Sequence, residues 1–134
     1  GEKEKQSMAL WAADCAERAL SQFEEQYPED RRPRNAIEAA RAWAHGTLKI
    51  REARAAAFAA HAAARATDNH AARAAARSAG HAAATAHVIT HAAHAATYAV
   101  SAMAAAAGDI ETEEREWQHR QLADKLWPIG FSGR

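Results

Sequence analysis

Alanine decides what this chain can become. It makes up about 30% of the sequence, against only 6 glycines and 3 prolines. It is the strongest helix former, because it loses no side-chain entropy in a helix and carries no polar group that competes for the backbone. With β-branched residues also rare, helix is expected almost everywhere and a sheet is not. Helices faced with alanine approach one another toward the short end of the usual range of about 8–10 Å. The 134 residues suffice for one core but not for two independent domains. The expected fold is therefore all-α: a single compact, alanine-rich bundle of five to six helices, anchored by its few Trp, Phe, Ile, Leu and Val side chains.

Periodicity and breakers divide the chain. Trp11, Cys15, Ala19, Phe23 and Tyr27 recur every four positions, flanked by Met8, Ala12 and Leu20, which predicts an amphipathic helix from Ser7 to about Gln26. The charged residues Gly1 to Gln6 read as a frayed end or a segment foreign to the natural chain. Two prolines and five charges between Tyr27 and Arg34 break the chain, and Pro33 suits the first turn of a second helix that ends near His45. Its inner face is Ile37, Ala40, Trp43 and Ala44, and Gly46 is placed to close it with a left-handed cap. A third helix is expected from Thr47 or Leu48 to about Ala66, followed by a capping break at Thr67-Asp68-Asn69.

From His70 to Ala107 the one strong breaker is Gly80. Unbroken, those 38 residues would extend roughly 57 Å, too long for a domain of this size, so the long fourth helix is expected to break or kink between Ser78 and Gly80. Gly108 and Asp109 then start a last helix, with Glu111, Glu113 and Glu114 where the helix dipole favours negative charge. It is expected to end near Trp127-Pro128, leaving 128–134 as a tail, and to cover one side of the bundle with Trp117, Leu122, Leu126 and Trp127.

The 17 basic and 17 acidic residues cancel, so the global field gives no reason to expect nucleic acid or an anionic membrane as partner. The run Ala92 to Ala107 is interrupted by His94, Thr97, Tyr98 and Ser101 and is not read as a membrane span. A lone Cys15 excludes an internal disulfide, and with no leader-like segment a cytoplasmic protein is expected. There is no glycine-rich phosphate loop, Cys-x-x-Cys, nucleophile elbow or adjacent Ser/His/Asp set, so no enzyme is expected. The one enzymatic alternative takes His61 or His87 as a general base, which needs a cleft and an orienting group.

Eight histidines are the most unusual chemistry in the sequence. On one continuous helix His87, His91 and His94 share a sector of about 60°, a face that also carries Thr90, Thr97, Tyr98 and Ser101, while Val88, Ile89, Val100 and Met103 lie largely opposite. Three readings follow. In the plainest, the rings are half-buried spacers hydrogen-bonded to Thr, Ser or backbone groups. In the second, His87, His91, His94 and Tyr98, with Arg51 and Arg54 of the basic third helix, face a protein partner. In the third, His87 and His91, spaced i, i+4, share a Zn²⁺ or Cu²⁺ ion with His61; no other cofactor is expected. No carboxylate lies nearby in sequence to orient the rings. His81 is about 120° from His87 on the same wheel and is expected to be a satisfied core residue rather than a ligand.

Lys49, Arg51, Arg54, Arg65, Arg73 and Arg77 meet only Glu52 and Asp68 between positions 49 and 77, a local excess that suits an acidic partner or a solvated face. Asp14, Arg18, Arg34, Glu38 and Arg41 are expected to form buried pairs that fix the register of the first two helices.

The strings ALWAADCAER (Ala9 to Arg18), RPRNAIEAARAWA (Arg32 to Ala44), AFAAHAAAR (Ala57 to Arg65) and GHAAATAHVITHA (Gly80 to Ala92) are distinctive in their Trp, Cys, Pro, Arg and His placements. Together they resemble the Imm-5-like immunity protein family of bacteria over most of the chain. The resemblance implies a small helical antidote that binds and neutralises a cognate toxin of a polymorphic toxin system. His61, His81, His87 and His91 fall inside the matching strings and His94 outside them, which weakens a metal site built specifically on His94. The chain is thus expected to be a non-enzymatic binder with a toxin as protein partner, a homodimer being left open.

Overall fold

In the computed structural model, which describes residues 1–107 and 110–123, seven helices follow one another and no strand occurs among the described residues. They are α1 (Glu2–Ala19), α2 (Ser21–Glu24), α3 (Arg32–Ala44), α4 (Ile50–Arg65), α5 (His70–Ala84), α6 (His91–Ala107) and α7 (Ile110–Ala123). No helix among these residues is long and apolar enough to cross a membrane.

Local chemistry sets most of the helix ends. Pro33 sits in the first turn of α3, where its missing N–H costs nothing, and Asp30 accepts from the Arg32 N–H at 3.1 Å just before it. Gly46 closes α3 with φ of 80°, while the Thr47 N–H reaches back to the Ala42 carbonyl at 2.9 Å, the left-handed cap expected there. The Glu52 side chain accepts from the Lys49 N–H at the start of α4 (3.2 Å). Asn69 caps α5 by accepting from the Ala72 N–H at 2.8 Å, an interaction that typically stabilises a helix by about 1 kcal/mol.

Three expectations are corrected. The first helix begins at Glu2 rather than Ser7, with Glu2 and Glu4 in its first turn where the dipole favours them. It divides at Leu20, whose N–H bonds the Glu17 carbonyl at 3.3 Å, and Tyr27 lies beyond it, bonded through its hydroxyl to Thr67 Oγ1 at 2.5 Å. The long helix is indeed interrupted, but not near Gly80: α5 runs through Gly80 to Ala84, and the break is the turn 85–90. Four of those six residues, Thr85, Val88, Ile89 and Thr90, are β-branched and resist helical χ1 crowding. Thr85 also turns its hydroxyl onto the His81 carbonyl at 3.0 Å, the local back-bonding that weakens a helix. The expected starts at Gly108 and Asp109, and the coverage by Leu126 and Trp127, lie outside the described residues.

Helix α5 is the centre of the bundle and packs against α1, α2, α3, α4 and α6. Its buried surface is Ala72, Ala75, Ala76, Ser78, Ala79, Gly80, Ala82 and Ala83. The Ser78 hydroxyl, one carbon from its backbone, reaches the Ala95 carbonyl of α6 at 2.7 Å, so the two backbones lie close. Around this seam the larger side chains Met8, Trp11, Leu20, Phe23, Ile37 and Leu122 are fully buried, each contributing roughly 1.5–3 kcal/mol relative to exposure. The last helix is tied down by polar contacts. Trp11 Nε1 donates to the Gln118 carbonyl at 3.2 Å, and Gln118 Nε2 donates to the Ala96 carbonyl at 3.0 Å. Arg18 Nε meets the buried Glu114 carboxylate at 2.7 Å, with its guanidinium 4.0 Å from the Trp117 ring centroid.

The expected register pairs form at a half-exposed edge rather than in the core. Arg41 bridges Glu17 (2.9 Å) and Asp14 (3.1 Å), and Arg34 bridges Glu17 (2.9 Å) and Glu24 (3.0 Å), so α3 is clasped to α1 and α2. Arg18 leaves this group for Glu114, and Glu38 pairs on the surface with Arg31 at 3.5 Å. Partial burial by itself would raise the Glu17 pKa, but the Arg41 hydrogen bond and the charges of Arg34 and Arg41 together outweigh it and hold the carboxyl below its ordinary 4.5.

Two outcomes follow. The stability Glu17 supplies is complete above about pH 4.5 and is lost as the pH falls and the folded carboxylate protonates. The Tm advantage of the wild type over Glu17→Gln should therefore shrink between neutrality and about pH 3; a pH-independent difference would contradict the clasp. Arg18→Ala strands the Glu114 carboxylate. Denaturant unfolding should show a loss of about 2 kcal/mol, less than the roughly 3–5 kcal/mol of a fully buried pair because Arg18 is 41% exposed; a loss under about 0.5 kcal/mol would contradict this account.

Candidate histidine site

The turn at 85–90 folds α6 back along α5 and brings the last turn of α5 against the first turn of α6. His81 on α5 thereby meets His91 and His94 on α6, and one ligand-capable atom from each of the three lies within 4.8 Å of the others. His81 Nδ1 and His91 Nδ1 are 2.8 Å apart, so one of them donates its proton and the other accepts. His81 is the hub: its ring centroid lies 4.9 Å from that of His61, 5.0 Å from His91, 5.1 Å from His94 and 5.4 Å from Tyr98, the last stacked nearly parallel.

His61 enters from α4. Its Nδ1 is 2.9 Å from Arg77 Nη1, and because a guanidinium only donates, that nitrogen carries the lone pair and the ring proton sits on Nε2. Gly80 makes the space. A Cβ there would stand 2.7 Å from His61 Cε1 and Nε2, so the residue read as a helix breaker is a point of close approach inside an intact helix.

The surroundings disfavour the protonated form of His61, His81 and His91. Burial, then the Arg77 charge and the neighbouring His91 and Arg65, push His61 down to about 4. Burial and then the adjacent His61, His91, His94 and Arg77 push His81 down to about 3. His91 is lowered by burial and by His94 and His87. Neutral imidazoles are acceptors and metal ligands, which protonated ones are not.

The placement differs from the helical wheel. Of His87, His91 and His61, only His91 joins the close group, whose other members are His81, expected in the core and apart, and His94. The wheel assumed one continuous helix; the turn at 85–90 takes His87 off it and rotates His81 into line with α6. His87 is exposed on the turn, and with His61, His91, Arg54 and Phe58 it lines a shallow depression of about 170 Å³. The Thr and Ser bonds expected of the histidines go elsewhere: Ser78 bonds α6 backbone, and Thr97 bonds its own helix at the Ala93 carbonyl, 3.1 Å away. Among the described residues no carboxylate hydrogen-bonds these rings.

His94 and Tyr98 are exposed beside the group, and Arg51 and Arg54 are exposed on α4. Together with Phe58 the two arginines line a second open depression, of about 320 Å³. Phe58 is 65% exposed, with the Arg54 guanidinium 6.0 Å from its ring centroid. Sequence reasoning passed over Phe58, although its spacing carried the signal: Arg51, Arg54 and His61 stand at i−7, i−4 and i+3 from it on one helical face.

The sequence profile of the family described as "Imm-5 like putative immunity protein" matches residues 1–125. No curated protein matches, and no solved structure does.

Gly80 offers a test by sign. Gly→Ala inside a helix ordinarily stabilises by about 1 kcal/mol, but here the new methyl meets a ring held by Arg77. Gly80→Ala should destabilise the wild type by about 1 kcal/mol or more and stabilise a His61→Ala background by about 1 kcal/mol, as read from denaturant melts of the four-protein cycle. The same sign in both backgrounds would show that the ring contact does not determine the glycine.

Proposed function

Since the chain belongs to the Imm-5-like immunity protein family, we propose that it binds a cognate bacterial toxin and neutralises it by covering its active surface, with no chemistry of its own. The observation that carries the choice of surface is Phe58, a large aromatic ring standing in solvent on a helix that is otherwise mostly alanine and arginine. Exposed aromatic and arginine side chains are what protein interfaces concentrate at their energetic centres. Arg51 and Arg54 flank the ring, and neither makes an ion pair among the described residues, so their charge is available to a partner. An acidic toxin surface complements them, and such complementarity speeds association and rejects other partners.

The face extends across the depression to His87 and His91, and on to His94 and Tyr98 at the edge of the histidine group. A standard interface of roughly 800 Å² per partner would cover both depressions. The residues named for partner contact from sequence, His87, His91, His94, Tyr98, Arg51 and Arg54, border this face, and Phe58 supplies the apolar centre they lacked. Family membership favours a binder over an enzyme.

The test is to search the reading frames beside the gene for a toxin domain, co-express it with this chain, and titrate the purified pair by calorimetry. Phe58→Asp and Arg54→Glu should each weaken binding by about 30-fold or more, the range of an interface hot spot, and abolish protection of the cell, with Tm unchanged because both side chains are exposed. Added salt should slow association of the wild type. Wild-type affinity in both variants would move the interface off this face, and a neighbouring toxin that neither binds nor is neutralised would remove the reading altogether.

A further inference from the structure

Three imidazoles packed against one another need a physical account. An apolar seam of this kind excludes polar side chains unless they are paired, yet the junction of α5 and α6 gathers His81, His91 and His94 where alanine fills almost every other position. Hydrogen bonding accounts for two of them: the His81 and His91 Nδ1 atoms share one proton across 2.8 Å. The third, His94, stands at the exposed edge of the group with no hydrogen-bond partner among the described residues, and it meets the other two edge-on, its centroid 5.1 Å from His81 and 5.8 Å from His91.

We propose that His81, His91 and His94 bind a divalent, imidazole-preferring transition-metal ion, Zn²⁺ being the probe, with the fourth coordination position open to solvent.

Four observations support the site. The ligand-capable atoms are within 4.8 Å of one another, and the nitrogens of a tetrahedral zinc site stand about 3.3–3.4 Å apart for bonds of about 2.0–2.1 Å. Coordination through these atoms would require a rotation of the exposed His94 ring, a small opening of the His81–His91 contact, and a tautomer change that moves the proton shared by the two Nδ1 atoms to an Nε2. The ligands come from two helices, with His91 and His94 one turn apart on α6 and His81 across from them, so the backbone fixes their arrangement before any ion arrives. The donor set is all imidazole nitrogen with no carboxylate, which suits zinc, copper or nickel and not magnesium or calcium. His61, bonded to Arg77 and packed edge-on against His81 through the space Gly80 leaves, braces the central ring from the third side. Three protein ligands with one position open to water is the arrangement of zinc sites that exchange a ligand rather than of closed structural ones.

This site is independent of the toxin-binding reading, and the experiment uses the isolated chain, so either can fail alone. Metal-free protein is titrated with Zn²⁺ by calorimetry and with Co²⁺ by visible absorption, alongside thermal melts with and without Zn²⁺. The expected result is one ion per chain, a raised Tm and the intense absorption bands of four-coordinate Co²⁺. His94 is exposed, so His94→Ala should fold as the wild type does while losing at least about 100-fold in Zn²⁺ affinity, the upper end of what removal of an outer partner costs. His87→Ala, also exposed but outside the triad, should change affinity by less than about threefold. The proposal is overturned by no saturable uptake at micromolar Zn²⁺, by unchanged affinity in His94→Ala, or by a loss in His87→Ala as large as that in His94→Ala, which would place the ion with His61 and His87 instead.

Discussion

The bundle depends on how closely other helices can approach α5. Five helices pack against it, and this is possible because its buried surface carries only alanine, serine and glycine. Each alanine removes little apolar area from water, so the seam gains stability chiefly from many short contacts between backbones, individually of about 0.1–0.2 kcal/mol. Such a seam tolerates enlargement poorly, since an added methylene has no space to enter without displacing a helix. The larger apolar side chains are placed around the seam rather than in it: Trp11, Met8, Leu20 and Phe23 from α1, α2 and their junction, Ile37 from α3 and Leu122 from α7.

Close approach also determines where polar groups can go. Short side chains reach neighbouring backbone directly, as Ser78 does across to Ala95. Longer polar side chains take other places. Glu114 on α7 is buried beneath Arg18 of α1 and Trp117. On α5, Gly80 leaves a space that the His61 ring fills, and the histidine group builds outward from there. The neutral state of His61 and His81 follows from this placement, because burial is the leading cause of both shifts and the surrounding cations act in the same direction.

Much of this was legible residue by residue. The caps at Gly46 and Asn69, the Pro33 start of α3, the buried stripe Trp11, Cys15, Ala19, Phe23 and the inner face Ile37, Ala40, Trp43, Ala44 follow from short-range rules that act within a turn or two. The necessity of a break in the long helix was legible from its length, but its position was not: glycine was weighted as a breaker, whereas its missing Cβ was serving a contact with α4 that no local pattern reveals. Weight on the β-branched residues Thr85, Val88, Ile89 and Thr90 would have located the turn. That one displacement accounts for the site residues as well, because a helical wheel drawn through the turn groups His87 with His91 and sets His81 apart, while the folded chain does the reverse. Glu114 was read as a first-turn charge favoured by the dipole; its burial against Arg18, 96 positions away, is a tertiary fact.

Alanine gives the chain its scaffold and almost nothing for another molecule to recognise, since a methyl surface offers neither charge nor hydrogen bonds nor an aromatic edge. Recognition must then come from the positions where alanine is replaced on exposed or half-exposed surface, and on α4 these include one contiguous set, Arg51, Arg54, Phe58 and His61, continued by His87 on the turn and His91, His94 and Tyr98 on α6. His91 belongs both to the close triad and to the wall of the depression beside Phe58. The orientation of its ring is therefore set from beneath by His81 and displayed from above on the surface, so the packing of a buried imidazole governs the shape that a partner on α4 would meet.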